Sequence, residues 1–425
     1  MKAKIYPYNG VVHEINAINS TFCLQIEIIC ASLAKGTSTI KGLIDNKEID
    51  TTITWCKSIG ANIKKGNDKL IIKGIDNHAK ISNALFVCDN TSTTAKLMIP
   101  LLCCNPRPFG IKTNEKIINE IIKYQHIYEN YGIKFYIEDD LIRFEKMLEA
   151  KPIELEGDID IYFMTGLFIA LPLLDDNSSI QLRAPIRYER NYQTIVKVLK
   201  KFHVDVKRPT TTKFDFSGKQ SYLHCNIKTE IDKFYLAHLA LLSNFLTEDD
   251  NKMLVTNYNQ VTSQDGDLLF EYLRKSSFKF TSYFFKFFVK KKESNVYNFS
   301  LSSIDSLPIM MVIAILCSNK CIINGVDINK PVIKNEYEIM QKALSKMNIE
   351  CSLKHQNLSI SVSDNVKKAQ VDCQNSPYVL MALTYLGLLG NTPIVIRNAD
   401  CIFSKNYKFY DYLKEKGAKI EFIND

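Results

Sequence analysis

Three arginines fall within eight residues in the stretch LRAPIRYERNY: Arg183, Arg187 and Arg190. The chain carries 54 Lys and Arg, and only eight of these are Arg (107, 143, 183, 187, 190, 208, 274 and 397), so their clustering carries information. A guanidinium presents a planar fork that grips a carboxylate or phosphate through two parallel hydrogen bonds, whereas Lys suffices for solubility. The segment reads either as an anion-binding site or as a strand that alternates solvated arginines. A second stretch with chemical potential is NSTFCLQIEIICASLAKGTS, residues 19–38. It reads as a helix that starts near Ser20, ends at a glycine and runs into a strand. Helix N-termini attract anions, yet no Lys or Arg stands between Ser20 and Ile26.

The elements that must position these residues belong to a large globular chain. At 425 residues, 46% hydrophobic and 24% charged, it suggests at least two domains with substantial cores. The longest apolar run, LPIMMVIAILC, is about half of what a membrane span needs. The opening MKAKIYPYNGVVHE lacks the apolar core of a signal peptide. These features point to the cytoplasm. The twelve cysteines are scattered through apolar segments without a CxxC pair or zinc spacing, so they read as reduced thiols with no metal role. The net charge of +8 comes from dispersed Lys, which argues against nucleic acid. The run SYFFKFFVKKKES, which mixes aromatics and bases, reads as a strand and a lysine-rich turn.

An internal repeat organises the chain. WCKSIGANIKK, IYENYGIKFYI, VLKKFHVDVKR, YLRKSSFKFTS, ALSKMNIECSL and YLKEKGAKIEF each join an amphipathic helix end, a turn residue and an alternating strand. The turn residues are Gly60, Gly132, His203, Ser277, Asn348 and Gly417, spaced by 72, 71, 74, 71 and 69. Gly and Asn suit the left-handed conformation that ends many helices. The unit is a strand–helix–strand–helix–strand–strand module, present six times. Three modules per domain, with a crossover near residues 216–226, is the simplest division.

Six such modules in an α/β chain resemble the enolpyruvyl transferase superfamily, most closely its 5-enolpyruvylshikimate-3-phosphate synthase family. LAKGTSTIKGLIDNKEIDTTITWCKSIGANI looks like that family's first unit. DNTSTTAKLM resembles GNSGTTMRLM, and GDIDIYFMTGLFIALPLL resembles GDISSQFISALLMAAPLL. TSQDGDLLFEYL and the block LMALTYLGLLGNTPIVIRNADCIFSKNYKFYDYLKEKGAKIE also match family segments. The resemblance implies a two-domain fold with six βαβαββ repeats and an interdomain cleft. One domain, residues 14–225, is inserted into a discontinuous one of residues 1–13 plus 226–425. It also implies a small anionic ligand and no cofactor or metal, with no nucleic-acid or membrane partner.

Family residues carry over unevenly. In the family's SKSxSNR the Lys and Arg hold anionic substrate groups, and here Thr21 and Ile26 stand at those positions. Asn90 and Thr93 match the GNSGTTMR segment, where Lys96 replaces the arginine. The SSQ substrate clamp is Asp160-Ile161-Tyr162. The RPM arginine aligns near Asn119, with a displaced Arg107 upstream, and an aspartate aligns with Lys228. The KESDR arginine falls on Glu336 or Glu338, DHR becomes Ser376-Pro377-Tyr378, and Lys405 keeps a family cation. The family's SKPYIxMT, which lines the substrate side of its cleft, matches the arginine-rich segment, so Arg187, Arg190 and Tyr192 join Asn90, Thr93, Lys96, Arg107 and Lys405 as candidate substrate contacts. No catalytic residue is assigned. Asn90 and Thr93 read equally as turn residues bonded to the local backbone, and Asp267 as a helix cap.

Both substrates of the family's transfer are anionic, and each preorganised charged partner removed from such a site costs about 2–4 kcal/mol. The expected function is therefore a diverged family member whose phosphoenolpyruvate and shikimate-3-phosphate site is largely lost, with altered chemistry on a shikimate- or cyclitol-like acid. The alternatives are a non-catalytic binding partner of another protein and a divergent working 3-phosphoshikimate 1-carboxyvinyltransferase.

Overall fold

The structure is a computed structural model. It describes residues 1–8, 10, 14–77, 85–88, 92–145, 147–184, 186, 188–232, 253–256, 278–283, 286–291, 298–300, 307–317, 320–329, 331–363, 367–404 and 409–423. The chain forms two compact units. One comprises Met1–Ile18, Asp232–Gln260 and Gln264–Asp425; the other comprises Asn19–Ile231 with Val261–Ser263.

Among the described residues, strands form six four-stranded sheets, three in each unit, and all share one pattern. A first strand lies parallel to a second, the second is antiparallel to a third, and the third to a fourth. In the Asn19–Ile231 unit, β6 (Leu85–Cys88) pairs in parallel with β7 (Phe109–Thr113), which pairs antiparallel with β9 (Leu141–Glu145), and β9 with β8 (Lys134–Glu138). The order repeats for β10 (Pro152–Glu156), β11 (Ser178–Arg183), β13 (Lys213–Phe216) and β12 (Val206–Lys207). The α/β class and the six βαβαββ modules read from the sequence match this architecture. Gly60, Gly132, His203, Asn348 and Gly417 all have φ between 63° and 110°, the left-handed geometry expected of them; Ser277 lies outside the described residues.

Two sheets borrow their first strand across the crossover. β2 (Glu14–Asn16) pairs in parallel with β15 (Met253–Thr256), and β14 (Asn226–Lys228) pairs in parallel with β3 (Thr37–Lys41). The strand preceding the inserted unit thus stays with the outer unit, and the strand leaving it completes the inserted unit's first sheet. The two compact units change over at 18/19 and 231/232, beside the 13/14 and 225/226 of the sequence reading. In the C-terminal sheet, β1 (Lys2–Ile5) lies between β23 (Ile394–Arg397) and β24 (Ile420–Ile423), so the chain's two ends close one module.

Three helices in the inserted unit are buried on nearly every side: α1 (Thr21–Leu33), α3 (Thr93–Leu102) and α6 (Ile161–Ala170). Their sequences carry almost no polar face, as a helix packed on all sides requires. Helix α2 (Lys47–Ser58) is amphipathic and buries Ile49, Ile53, Trp55 and Cys56. α3 and α6 approach backbone to backbone. A Cβ at Gly166 would lie 2.6 Å from the Lys96 carbonyl oxygen and 2.8 Å from that of Leu97, so only glycine fits.

Candidate functional site

The N-terminal ends of α1, α2, α3 and α6 are tied together by side chains. Ser20 caps α1, its Oγ accepting from the Cys23 N–H at 3.3 Å, and Phe22 meets Tyr162 of α6 edge to face at 5.4 Å. Asn46 caps α2 through the Ile49 N–H, and its Nδ2 donates to Thr21 Oγ1 at 3.1 Å. Asp160 caps α6, its Oδ1 accepting from the N–H groups of Tyr162 and Phe163 at 2.9 and 3.0 Å. Each cap satisfies donors that the first helical turn leaves open. Gln25, fully buried, donates from Nε2 toward Thr52 at 3.1 Å and toward Thr93 and Thr94 at 3.4 Å each. Converging helix N-termini form a region of positive potential.

A buried cation in this region is Lys96, one turn into α3, whose side chain is 9% exposed. Its Nζ lies 3.1 Å from Glu120 Oε2, on α4 (Glu115–Ile122), and 3.2 Å from Asp160 Oδ2. Ser92 donates its hydroxyl to the same Glu120 oxygen. Burial alone would raise the Glu120 carboxyl, but the Ser92 hydrogen bond and the Lys96 charge outweigh it and hold the pKa below its ordinary value. The Tyr124 ring faces Lys96 at 5.9 Å, and its phenol is pushed up by burial, then by the charges of Asp160 and Glu120. One ammonium thus sits between two carboxylates, so the triad is net negative.

A second polar knot lies further along α1. Glu27 is fully buried; its Oε2 accepts from the Thr229 hydroxyl at 2.6 Å, while Oε1 has no partner among the described residues. Burial pushes its pKa from 4.5 to about 7, with the Thr229 hydrogen bond and Lys201 opposing and Glu230 assisting. Glu230 in turn pairs with Lys197 at 3.2 Å and with Lys201 at 3.9 Å.

The candidates read from the sequence separate accordingly. Thr93 and Lys96 lie in the helix-terminus cluster, joined by Asp160. Arg107 does not: it is exposed in the turn after the C-terminal end of α3, with its backbone N–H on Asn105 Oδ1. The ten residues of α3 span roughly 15 Å, which separates Arg107 from the cluster at the other end. Tyr192 also lies apart from the cluster. It is fully buried, stacked on Phe168 at 6.0 Å and tilted against Phe214 at 5.4 Å, because its register on α7 (Glu189–Lys201) faces the core. Arg183, the first of the three clustered arginines, is 62% exposed and paired with Glu154 and Glu156 on the neighbouring strand, a solvated position. Arg190 falls in the first turn of α7; its side chain, with Asn90, Arg187 and Lys405, lies outside the described residues. Ile26, at the position of a family arginine, is fully buried in the core.

Gln25, Glu27 and Glu120 were missed from sequence. The signal for the first two was available: a Gln and a Glu interrupt an otherwise apolar helix, CLQIEII. Glu120 carried none, because its partner is 24 residues away. Among the described residues no group of three His, Cys, Asp or Glu could hold a metal, and no helix is long and apolar enough to cross a membrane.

The family model for EPSP synthase (3-phosphoshikimate 1-carboxyvinyltransferase) matches residues 14–413. The chain belongs to the EPSP synthase family. It is 33% identical over 222 residues to a 3-phosphoshikimate 1-carboxyvinyltransferase of Clostridium perfringens (strain 13 / Type A), a match that spans only about half of each protein: 50% of this chain and 52% of the relative. Another, from Clostridium kluyveri, is 24% identical over 412 residues, 93% of this chain and 92% of the relative. The fold is similar to that of EPSP synthase from Acinetobacter baumannii, with a TM-score of 0.77, 16% identity and 99% of both chains covered. At that identity the likeness speaks for the fold.

Proposed function

We propose that this chain is a diverged EPSP synthase family member that has lost the ordinary transfer from phosphoenolpyruvate to shikimate 3-phosphate and instead acts on a shikimate- or cyclitol-like acid in the cytoplasm. The observation that carries this reading is the Lys96 triad. Where the family motif has an arginine, this chain has a lysine whose ammonium is held by Glu120 and Asp160 at 3.1 and 3.2 Å. A phosphate oxygen about 4 Å from either carboxylate would be repelled by about 4 kcal/mol at an effective dielectric constant of ~20. The partly exposed hydroxyls of Thr21 and Thr93 suit a polyhydroxylated ring better than a phosphate. Thr21 and Ile26 in place of the family's Lys and Arg support the same conclusion.

A second reading, a working 3-phosphoshikimate 1-carboxyvinyltransferase, draws support from the match along residues 14–413 and from full-length relatives of that name. A phosphate-release assay with phosphoenolpyruvate and shikimate 3-phosphate separates the two. The proposed reading expects no turnover. Release at about 1 s⁻¹ or faster, an ordinary enzyme rate, would establish the second reading instead. For the acid itself, a thermal-shift screen of shikimate- and cyclitol-like acids should give a hit that disappears in an Arg187→Ala, Arg190→Ala double variant, the residues proposed to hold the carboxylate. A hit unaffected by that variant would remove the arginines from the proposal.

A further inference from the structure

We propose that Cys373 and Cys401 are a redox-responsive pair that closes into a disulfide across the ends of two parallel strands. The strands are β22 (Ala369–Asp372) and β23, whose register ends at Asp372 opposite Arg397. Cys373 follows at once. Beyond β23 the chain passes through Asn398, at φ 60°, into a 3₁₀ turn, Ala399–Ser404, that brings Cys401 back over the end of β22.

The two Sγ atoms are 3.8 Å apart, in van der Waals contact. A disulfide needs about 2.05 Å, so the two sulfurs must close about 1.8 Å to bond. The surrounding backbone is already joined across the same gap. The Cys373 N–H donates to the Arg397 carbonyl at 3.4 Å, its Sγ lies 3.1 and 3.3 Å from the carbonyls of Arg397 and Asn398, and Asn398 Nδ2 donates to Asp372 at 2.7 Å.

Their unequal exposure gives an order of events. Cys401 is partly exposed and Cys373 is buried. With a low-molecular-weight disulfide such as oxidised glutathione, the Cys401 thiolate attacks one sulfur and expels one glutathione thiol. The Cys373 thiolate then attacks Cys401 Sγ and expels the second. One S–S bond breaks and one forms; two electrons pass to glutathione, and the two thiol protons end on its two thiols. The bond would tie the 3₁₀ turn to the loop that ends at Ser376, the cap of helix Pro377–Leu389. Oxidation would therefore stiffen the turn and the loop that leads into this helix.

The test is to equilibrate the native full-length chain in graded mixtures of oxidised and reduced glutathione, alkylate it and digest it with trypsin. Arg397 separates the peptides 369–397 and 398–405, so their cross-link is visible by mass. The expected result is that cross-linked pair about 2 Da below the sum of its two reduced peptides, regenerated to thiols by excess reductant. The oxidised chain should also melt at a higher temperature than the reduced chain, and Cys373→Ser and Cys401→Ser should each abolish both effects. If both cysteines stay alkylatable in strongly oxidising buffer, or Cys401 stops at the glutathione adduct, the proposal is overturned. That measurement is made on the unmodified chain and so does not depend on either variant folding.

Discussion

Replacing Glu27 by glutamine should stabilise the protein at pH 8 and have almost no effect at pH 4. The carboxyl is fully buried on α1 with one hydrogen bond, from Thr229, and its pKa stands at about 7 against 4.5 when exposed. A raised carboxyl favours the folded state only while protonated. Its contribution is complete below pH 4.5 and is lost as pH rises through 7, after which the curve is flat. The difference of about 2.5 units is worth about 3 kcal/mol at 1.36 kcal/mol per unit. Wild-type stability should therefore fall by roughly 2–3 kcal/mol between pH 5 and pH 8 on account of this residue. Glutamine is a neutral isostere that removes that fall and keeps an oxygen for Thr229. Urea unfolding of both proteins at pH 5 and pH 8, reading the difference of differences, isolates the effect. Thr229→Val is the complementary variant. Without its hydrogen bond the carboxyl rises further, and the pH-dependent loss grows. Equal wild-type and glutamine-variant differences at the two pH values would refute the assignment of a buried, neutralised Glu27.

The Lys96 triad and the α3–α6 contact give two more expectations. Lys96→Met should cost about 2–3 kcal/mol at pH 7, less than a fully buried pair because Asp160 and Glu120 are partly exposed, and the loss should shrink as acid protonates Glu120, whose pKa the Lys96 charge helps to lower. A loss that grows toward low pH would contradict the triad. Gly166→Ala should cost about 1–3 kcal/mol in thermal or urea unfolding, since its Cβ would press on two α3 carbonyls. Gly66→Ala, whose Cβ would lie 3.4 Å from its nearest neighbours in an exposed turn, should stay within about 0.5 kcal/mol and serves as the control.

Much of this molecule is written in short-range pattern. The six turn residues announce helix ends because a left-handed backbone after a helix has a local steric cause, and the five described take that conformation. The caps Ser20, Asn46 and Asp160 act on N–H groups within three residues. The alternation of strands such as KLIIK is matched by their burial. Periods of two and 3.6 residues and a repeat of about seventy were enough for the α/β modules.

What the tertiary structure decided is who meets whom. Arg107 and Lys96 are eleven residues apart in sequence, yet Lys96 sits near the start of α3 and Arg107 in the turn beyond its far end, and Tyr192 turned inward because its helical phase faces Phe168 and Phe214. Lys96 finds its acids 24 and 64 residues away, and Glu27 its hydrogen bond 202 residues away, across a strand borrowed from the far side of the crossover. Charge, exposure and pKa depend on these long-range neighbours through desolvation and Coulomb interaction at a few ångströms. A residue's type declares that it can ionise; only the packing around it determines whether it does.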